Sequence, residues 1–132
     1  MREGRVLLVH GLSEDERNGL QAAGFTLDII DDGNAGGTLE EILEGKRVAH
    51  EGKPLHEVKI IVFYGYETDE ELKESVVRIR KNHVYGSIMA VVTENSYRWK
   101  FSYLLEHLLQ EREDNIKMEQ ERRAARENVQ PQ

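Results

Sequence analysis

Four short apolar runs punctuate the chain, and each is followed by polar residues and then by leucine, isoleucine or valine at helical spacing. Residues 6–9, VLLV, form an unbroken run between Arg5 and His10, the signature of a strand covered on both faces. Gly11 breaks it. Ser13 and Glu16 then stand at capping-box spacing, predicting a helix that runs to about Ala23 and stops at Gly24. Leu27, Ile29 and Ile30 predict a second strand, and the interruptions at Thr26 and Asp28 place it at an edge. After the turn-forming stretch 31–38, DDGNAGGT, a second capping box at Thr38 and Glu41 opens a short helix with Leu39, Ile42 and Leu43 inward, ended by Gly45. Residues 46–57 are polar and aperiodic and read as a surface connection.

The second half repeats the scheme. Residues 59–64, KIIVFY, predict a strand closed by Gly65, and Thr68 with Glu71 caps a helix carrying Leu72, Val76 and Ile79, which ends at Asn82 and His83. Residues 87–92 predict a fourth strand, followed by a helix that starts between Ser96 and Lys100 and carries the stripe Leu104, Leu105, Leu108 and Leu109. Overlaying VLLVHG-LSEDE on IIVFYG-YETDE exposes an internal βα repeat, a buried strand, one polar or aromatic residue, a glycine and a capped acidic helix start. Two βα units running the same way favour parallel pairing of the first and third strands. The expected fold is therefore α/β, a three-layer helix/sheet/helix arrangement of four mainly parallel strands in the order 2-1-3-4. A ferredoxin-like α+β layout is the rival. Residues 1–111 form one domain in this reading, and residues 112–132 a charged tail, helical or partly disordered.

Composition narrows the function classes. The chain has 132 residues, no cysteine, and 18 basic against 25 acidic residues for a net charge of −7. Disulfide scaffolds and thiolate chemistry are excluded, and the negative field disfavours polyanions, so no nucleic-acid partner is expected. The cations Arg78, Arg80, Lys81 and His83 are better explained as the carbonyl end of a helix. No apolar run approaches the ~18 residues of a membrane span, and no membrane partner and a cytoplasmic location are expected.

Several local patterns suggest chemistry without completing it. VLLVHG resembles the oxyanion strand of α/β-hydrolases, but no Gly-x-Ser-x-Gly elbow follows. DDGNAGGT before a capped helix has the glycine content of a phosphate cradle, yet it lacks a following lysine and carries Asp31, Asp32, Glu40 and Glu41. Asp31 and Asp32 also resemble the acidic pair of a receiver domain, in which the phospho-acceptor would end the third strand; Phe63, Tyr64 and Gly65 stand there instead, although Thr93 fits. His50-Glu51 and His56-Glu57 lack helical metal-ligand spacing, and neither metal nor other cofactor is expected.

From Lys59 to about Glu113 the chain resembles a bacterial family known as a domain of unknown function. Its members carry a strand ending in aromatic-Gly, an acidic helix start, a strand running into Thr-x-x-Asn-x-x-Trp, and a helix ending in Leu-x-x-Glu. Phe63, Tyr64, Gly65, Asp69 to Leu72, Thr93, Trp99 and Leu105 to Glu111 carry that resemblance. The family's asparagine falls on Ser96, with Asn95 one residue earlier, and the threonine usual after the tryptophan is Lys100. The resemblance implies a fold and a bacterial origin and brings no activity.

In an open parallel sheet, ligands bind at the carboxyl ends of the strands. That edge would gather His10, Asp31, Tyr64, Glu67, Thr93, Asn95, Ser96 and Trp99. The expected function is a non-enzymatic regulatory or interaction module taking a small molecule or a peptide at this edge, with weak self-association through the last helix. The alternative is a small enzyme using His10 as general base with Asp31 or Glu67 nearby. Trp99, with Tyr103 four residues on, is expected to staple the last helix to the sheet.

Overall fold

A computed structural model of the chain describes residues 4–52, 54–55, 57–82 and 84–128. The elements follow in the order β1 (Val6–His10), α1 (Glu14–Ala22), β2 (Leu27–Ile29), α2 (Leu39–Leu43), β3 (Ile60–Tyr64), α3 (Asp69–Lys81), β4 (Ile88–Val91) and, after a 3₁₀ turn at Ser96–Arg98, α4 (Phe101–Asn128). The three expected capping boxes are all formed, at Ser13 and Glu16, Thr38 and Glu41, and Thr68 and Glu71. His56 and His83, named above, lie outside the described residues.

The strands form one sheet in the order β2-β1-β3-β4. Leu7, Val9, Ile61 and Phe63 point to the face where Leu20 of α1 and Ile79 of α3 are buried. Val6, Leu8, Ile60 and Val62 point to the other, which is covered by Leu39, Ile42 and Leu43 of α2 and by Phe101, Leu104, Leu105 and Leu108 of α4. Helices on both faces give the three-layer arrangement, not the ferredoxin-like one.

One expectation is corrected. β1 pairs with β2, and β3 with β4, in parallel, but β1 and β3 run antiparallel. The reason lies in α2, whose 5 residues rise only about 7.5 Å and cannot carry the chain the length of the sheet. The connector instead folds back over the turn before α2, where the amide of Gly36 donates to the Val48 carbonyl and that of His50 to the Asp32 carbonyl. The chain therefore re-enters the sheet at the edge where β1 and β2 ended, and β3 runs the opposite way.

The consequence is a pseudo-two-fold axis through the sheet. Leu8 faces Val62, its own counterpart in the repeat. The repeat extends far beyond the strand and glycine seen in the sequence. The amide of Ile30 donates to Val9 and that of Val92 to Phe63; the Phe25 amide donates to Leu20 and the Val84 amide to Ile79. Above the sheet, Leu39 donates to the Trp99 carbonyl while Phe101 donates to that of Gly37, on either side of an antiparallel bridge between Thr38 and Lys100. Each half is thus a β-α-β-turn-α unit, and the halves exchange equivalent contacts.

Ion pairs cross the same axis. Glu16 reaches Lys59 at 2.8 Å, and Glu71 reaches Arg5 at 2.6 Å, so the capping-box glutamate of α1 and that of α3 each also hold the cation that precedes the other unit's first strand. Such partly exposed pairs are worth at most about 1 kcal/mol each, whereas truncating a buried leucine costs about 2–5 kcal/mol. The fully buried Leu8 and Val62 hold the seam, and the ions refine it. Burial opposes the charge on Glu16, but Lys59 and the Ser13 backbone N–H outweigh it and hold the carboxyl below its ordinary value.

Two glycines make the seam possible. Gly11 and Gly65 have φ of 78° and 84°, and a Cβ on the first would collide with the Val58 carbonyl oxygen, on the second with that of Gly4. Gly11→Ala and Gly65→Ala are each expected to lower stability by about 2–3 kcal/mol or more in denaturant unfolding, while Gly45→Ala, open on all sides despite a positive φ, costs about 1 kcal/mol. Glu16→Gln is expected to cost up to about 1 kcal/mol at neutral pH. Because the native carboxyl is depressed, its contribution is full above the ordinary carboxylate range and fades as pH falls through the lowered value; unfolding curves of the two proteins should converge in acid.

Candidate functional site

The antiparallel seam divides the expected edge in two. His10 pairs with Ile60 and Tyr64 with Val6, so the carboxyl ends of β1 and β3 lie at opposite ends of the sheet, about 13 Å apart along the strands. His10 and Asp31 stand at one edge; Tyr64, Glu67, Thr93, Asn95 and Ser96 follow β3 and β4 at the other. No single site joins His10, Tyr64 and Thr93, and Glu67 cannot assist His10.

At the first edge, His10 is half-buried, its Nδ1 lies 3.0 Å from the Ile30 carbonyl oxygen, and its ring packs 5.3 Å from that of Phe101. It borders two shallow concavities of about 280 and 560 Å³, one lined with Arg17 and Asp31, the other with Leu55 and Lys59. Asp31 is committed to its own loop: one oxygen accepts from the Gly33 amide at 2.8 Å and pairs with Arg47 at 3.2 Å. Further amides of the glycine-rich turn are also taken, Asn34 and Ala35 by the Asp31 carbonyl, Gly36 by Val48 and Gly37 by Asn34. The stretch is a closed turn rather than a phosphate cradle.

At the second edge, Thr93 and Ser96 cap each other. The Ser96 hydroxyl oxygen accepts from the Thr93 amide at 2.9 Å, and the Thr93 hydroxyl oxygen accepts from the Ser96 amide at 3.1 Å. Tyr64 stacks on Tyr97 with centroids 6.4 Å apart; burial, then the charge of Glu40, raises the Tyr97 phenol above its ordinary pKa. The Glu67 amide donates to Glu71 at 3.0 Å, extending the α3 cap. Asn95 is exposed. Trp99 is half-buried against the α2/α4 core and edge-on to Tyr103 at 4.9 Å and His107 at 5.4 Å. That contact fits a staple for the start of α4. Among the described residues no group of acidic or histidine side chains could hold a metal ion, and no helix is long and apolar enough to cross a membrane.

One residue that the sequence left unremarked has the clearest structural role at either edge. Asn34 is buried, its side-chain oxygen accepts from the Asp31 amide at 2.9 Å, and its side-chain nitrogen donates to the Ile29 carbonyl at 2.8 Å. Its position in the first unit is that of Ser96 in the second. Residues 59–114 match a family described as a domain of unknown function, DUF3783. The match covers the second unit and the start of the projecting part of α4. No curated protein and no solved structure matches the chain.

Thr93, Ser96, Trp99 and Lys100 of the second unit stand at the same spacing as Asp31, Asn34, Gly37 and Thr38 of the first. The signal for Asn34 was its distance from the stripe Leu39, Ile42 and Leu43, which equals that of Ser96 from Phe101, Leu104 and Leu105. Ser96→Asn is expected to keep full thermal stability, because the same turn already accommodates Asn34. Asn34→Ala leaves the part-buried Asp31 amide and Ile29 carbonyl without their partner and should cost about 1–3 kcal/mol, read as a fall in Tm.

Proposed function

We propose that the chain is a non-enzymatic interaction module that takes an extended peptide segment of a partner protein along the open side of β4. The observation that carries the reading is the groove between that strand and α4. Its volume is about 810 Å³, and it is lined by Gly86, Ser87, Ile88 and Met89 on one side and by Leu108, Arg112 and Ile116 on the other. Among the described residues β4 ends the sheet and pairs with β3 alone. The amides of Ile88 and Val92 point toward β3, so in an alternating strand those of Met89 and Val91 turn outward, the geometry on which a peptide adds as a further strand.

The behaviour of α4 supports the same reading. Its stripe is used by the core as far as Leu108, while Ile116 and Met118 are each 50% exposed. Burial of Leu104, Leu105 and Leu108 in the core speaks against self-association through that stripe and favours the outer part of the helix for contact with a partner. The commitment of the Asp31, Thr93 and Ser96 side chains to loop caps argues against a small-molecule site or a His10-based enzyme at the strand ends.

Panning a random-peptide display library on the intact chain should enrich sequences of alternating apolar residues. Val91→Pro removes an outward amide without touching the β3 ladder and should weaken those peptides at least ten-fold with the circular dichroism spectrum unchanged. Failure to enrich any peptide, or equal binding to the variant, refutes the proposal; a change in Trp99 fluorescence with a member of a metabolite panel would move the site back to the strand ends.

A further inference from the structure

The seam between the two units has the self-complementarity of a two-fold interface between identical partners. Leu8 and Val62 meet on the axis. Gly11 packs on Val58 and Gly65 on Gly4; Glu16 binds Lys59 and Glu71 binds Arg5; Leu39 bonds Trp99 and Phe101 bonds Gly37. Each of these contacts in one direction has its counterpart in the other. The family match, meanwhile, stops at one unit, residues 59–114, whose inner strand β3 is flanked by β1 on one side and β4 on the other.

We infer that the first unit is a diverged second copy of the matched unit, and that the seam is a homotypic interface whose natural partner class is another copy of residues 59–114. In such a pair, β3 lies antiparallel to β3 of the partner about Val62. Lys59 reaches the partner's Glu71 in place of Glu16, Gly65 packs on the partner's chain before its own β3, and Phe101 meets Tyr64 where here it meets His10. The pairing of the ions is the diagnostic. In the intact chain Lys59 and Glu71 belong to different ion pairs; in the homotypic pair they belong to the same one.

The experiment starts from the full chain, with a site-specific protease sequence inserted between Glu51 and Gly52 in the connector. After cleavage, the nicked protein is unfolded in denaturant, refolded at high concentration and weighed by native mass spectrometry. The expected result is two complexes at least, the hybrid of first and second units and a pair of second units. In the double variant Lys59→Glu/Glu71→Lys, the hybrid sets Glu16 against a second carboxylate and Arg5 against a second cation, whereas the second-unit pair recovers both ion pairs with their signs exchanged. The ratio of hybrid to second-unit pair should fall about five-fold or more. Adding Glu16→Lys and Arg5→Glu restores the hybrid and should return the ratio. Hybrid alone, in the parent and in the charge-swapped protein, overturns the inference, as do halves that never reassociate.

Discussion

The antiparallel contact of β1 with β3 is the constraint on which the rest depends. It places Leu8 on Val62, sets the two first strands' carboxyl ends at opposite edges, and brings each unit's capping glutamate within reach of the other unit's cation. It also demands close backbone approaches at Gly11 and Gly65, where no side chain fits. Burial on both faces supplies the energy. The ion pairs, each worth far less than the leucine and valine layers beneath them, act as alignment marks.

Much of this was legible in the residues, and the part that was not has a physical cause. The three capping boxes and the buried strands follow from local chemistry, since a Ser-x-x-Glu pair or an unbroken VLLV run determines its element without outside help. The direction of β3 relative to β1 does not. A parallel and an antiparallel partner bury the same alternating residues, and the choice rests on how far α2 and the connector carry the chain, which composition does not encode. The candidate edge inherited that error, so His10 and Tyr64, correctly placed at strand ends, were joined across the length of the sheet. Asn34 sits in a turn of aspartates and glycines that obscures its equivalence to Ser96; its distance from the α2 stripe hints at that equivalence, and the matching hydrogen bonds from the Asp31 and Thr93 amides establish it.

Both edges consume their polar groups in holding turns. The Asn34 side chain closes one and the Thr93–Ser96 exchange the other, and the two solutions are interchangeable because each satisfies the amide that follows the strand. A site that must bind or transform a ligand needs groups left over. The surface proposed for a partner lies where the duplication is broken, along the outer part of α4 and the strand beside it.

The 28-residue α4, roughly 42 Å long, has only the 5-residue α2 as its counterpart. Two separate copies of the second unit would carry two such arms, related by the axis, and would grip a repeated or dimeric target at both ends. Fusion of unlike halves leaves one arm per body. A partner docking along that helix, as proposed, would meet a single contact per body, without the gain in avidity that a symmetric pair of arms confers.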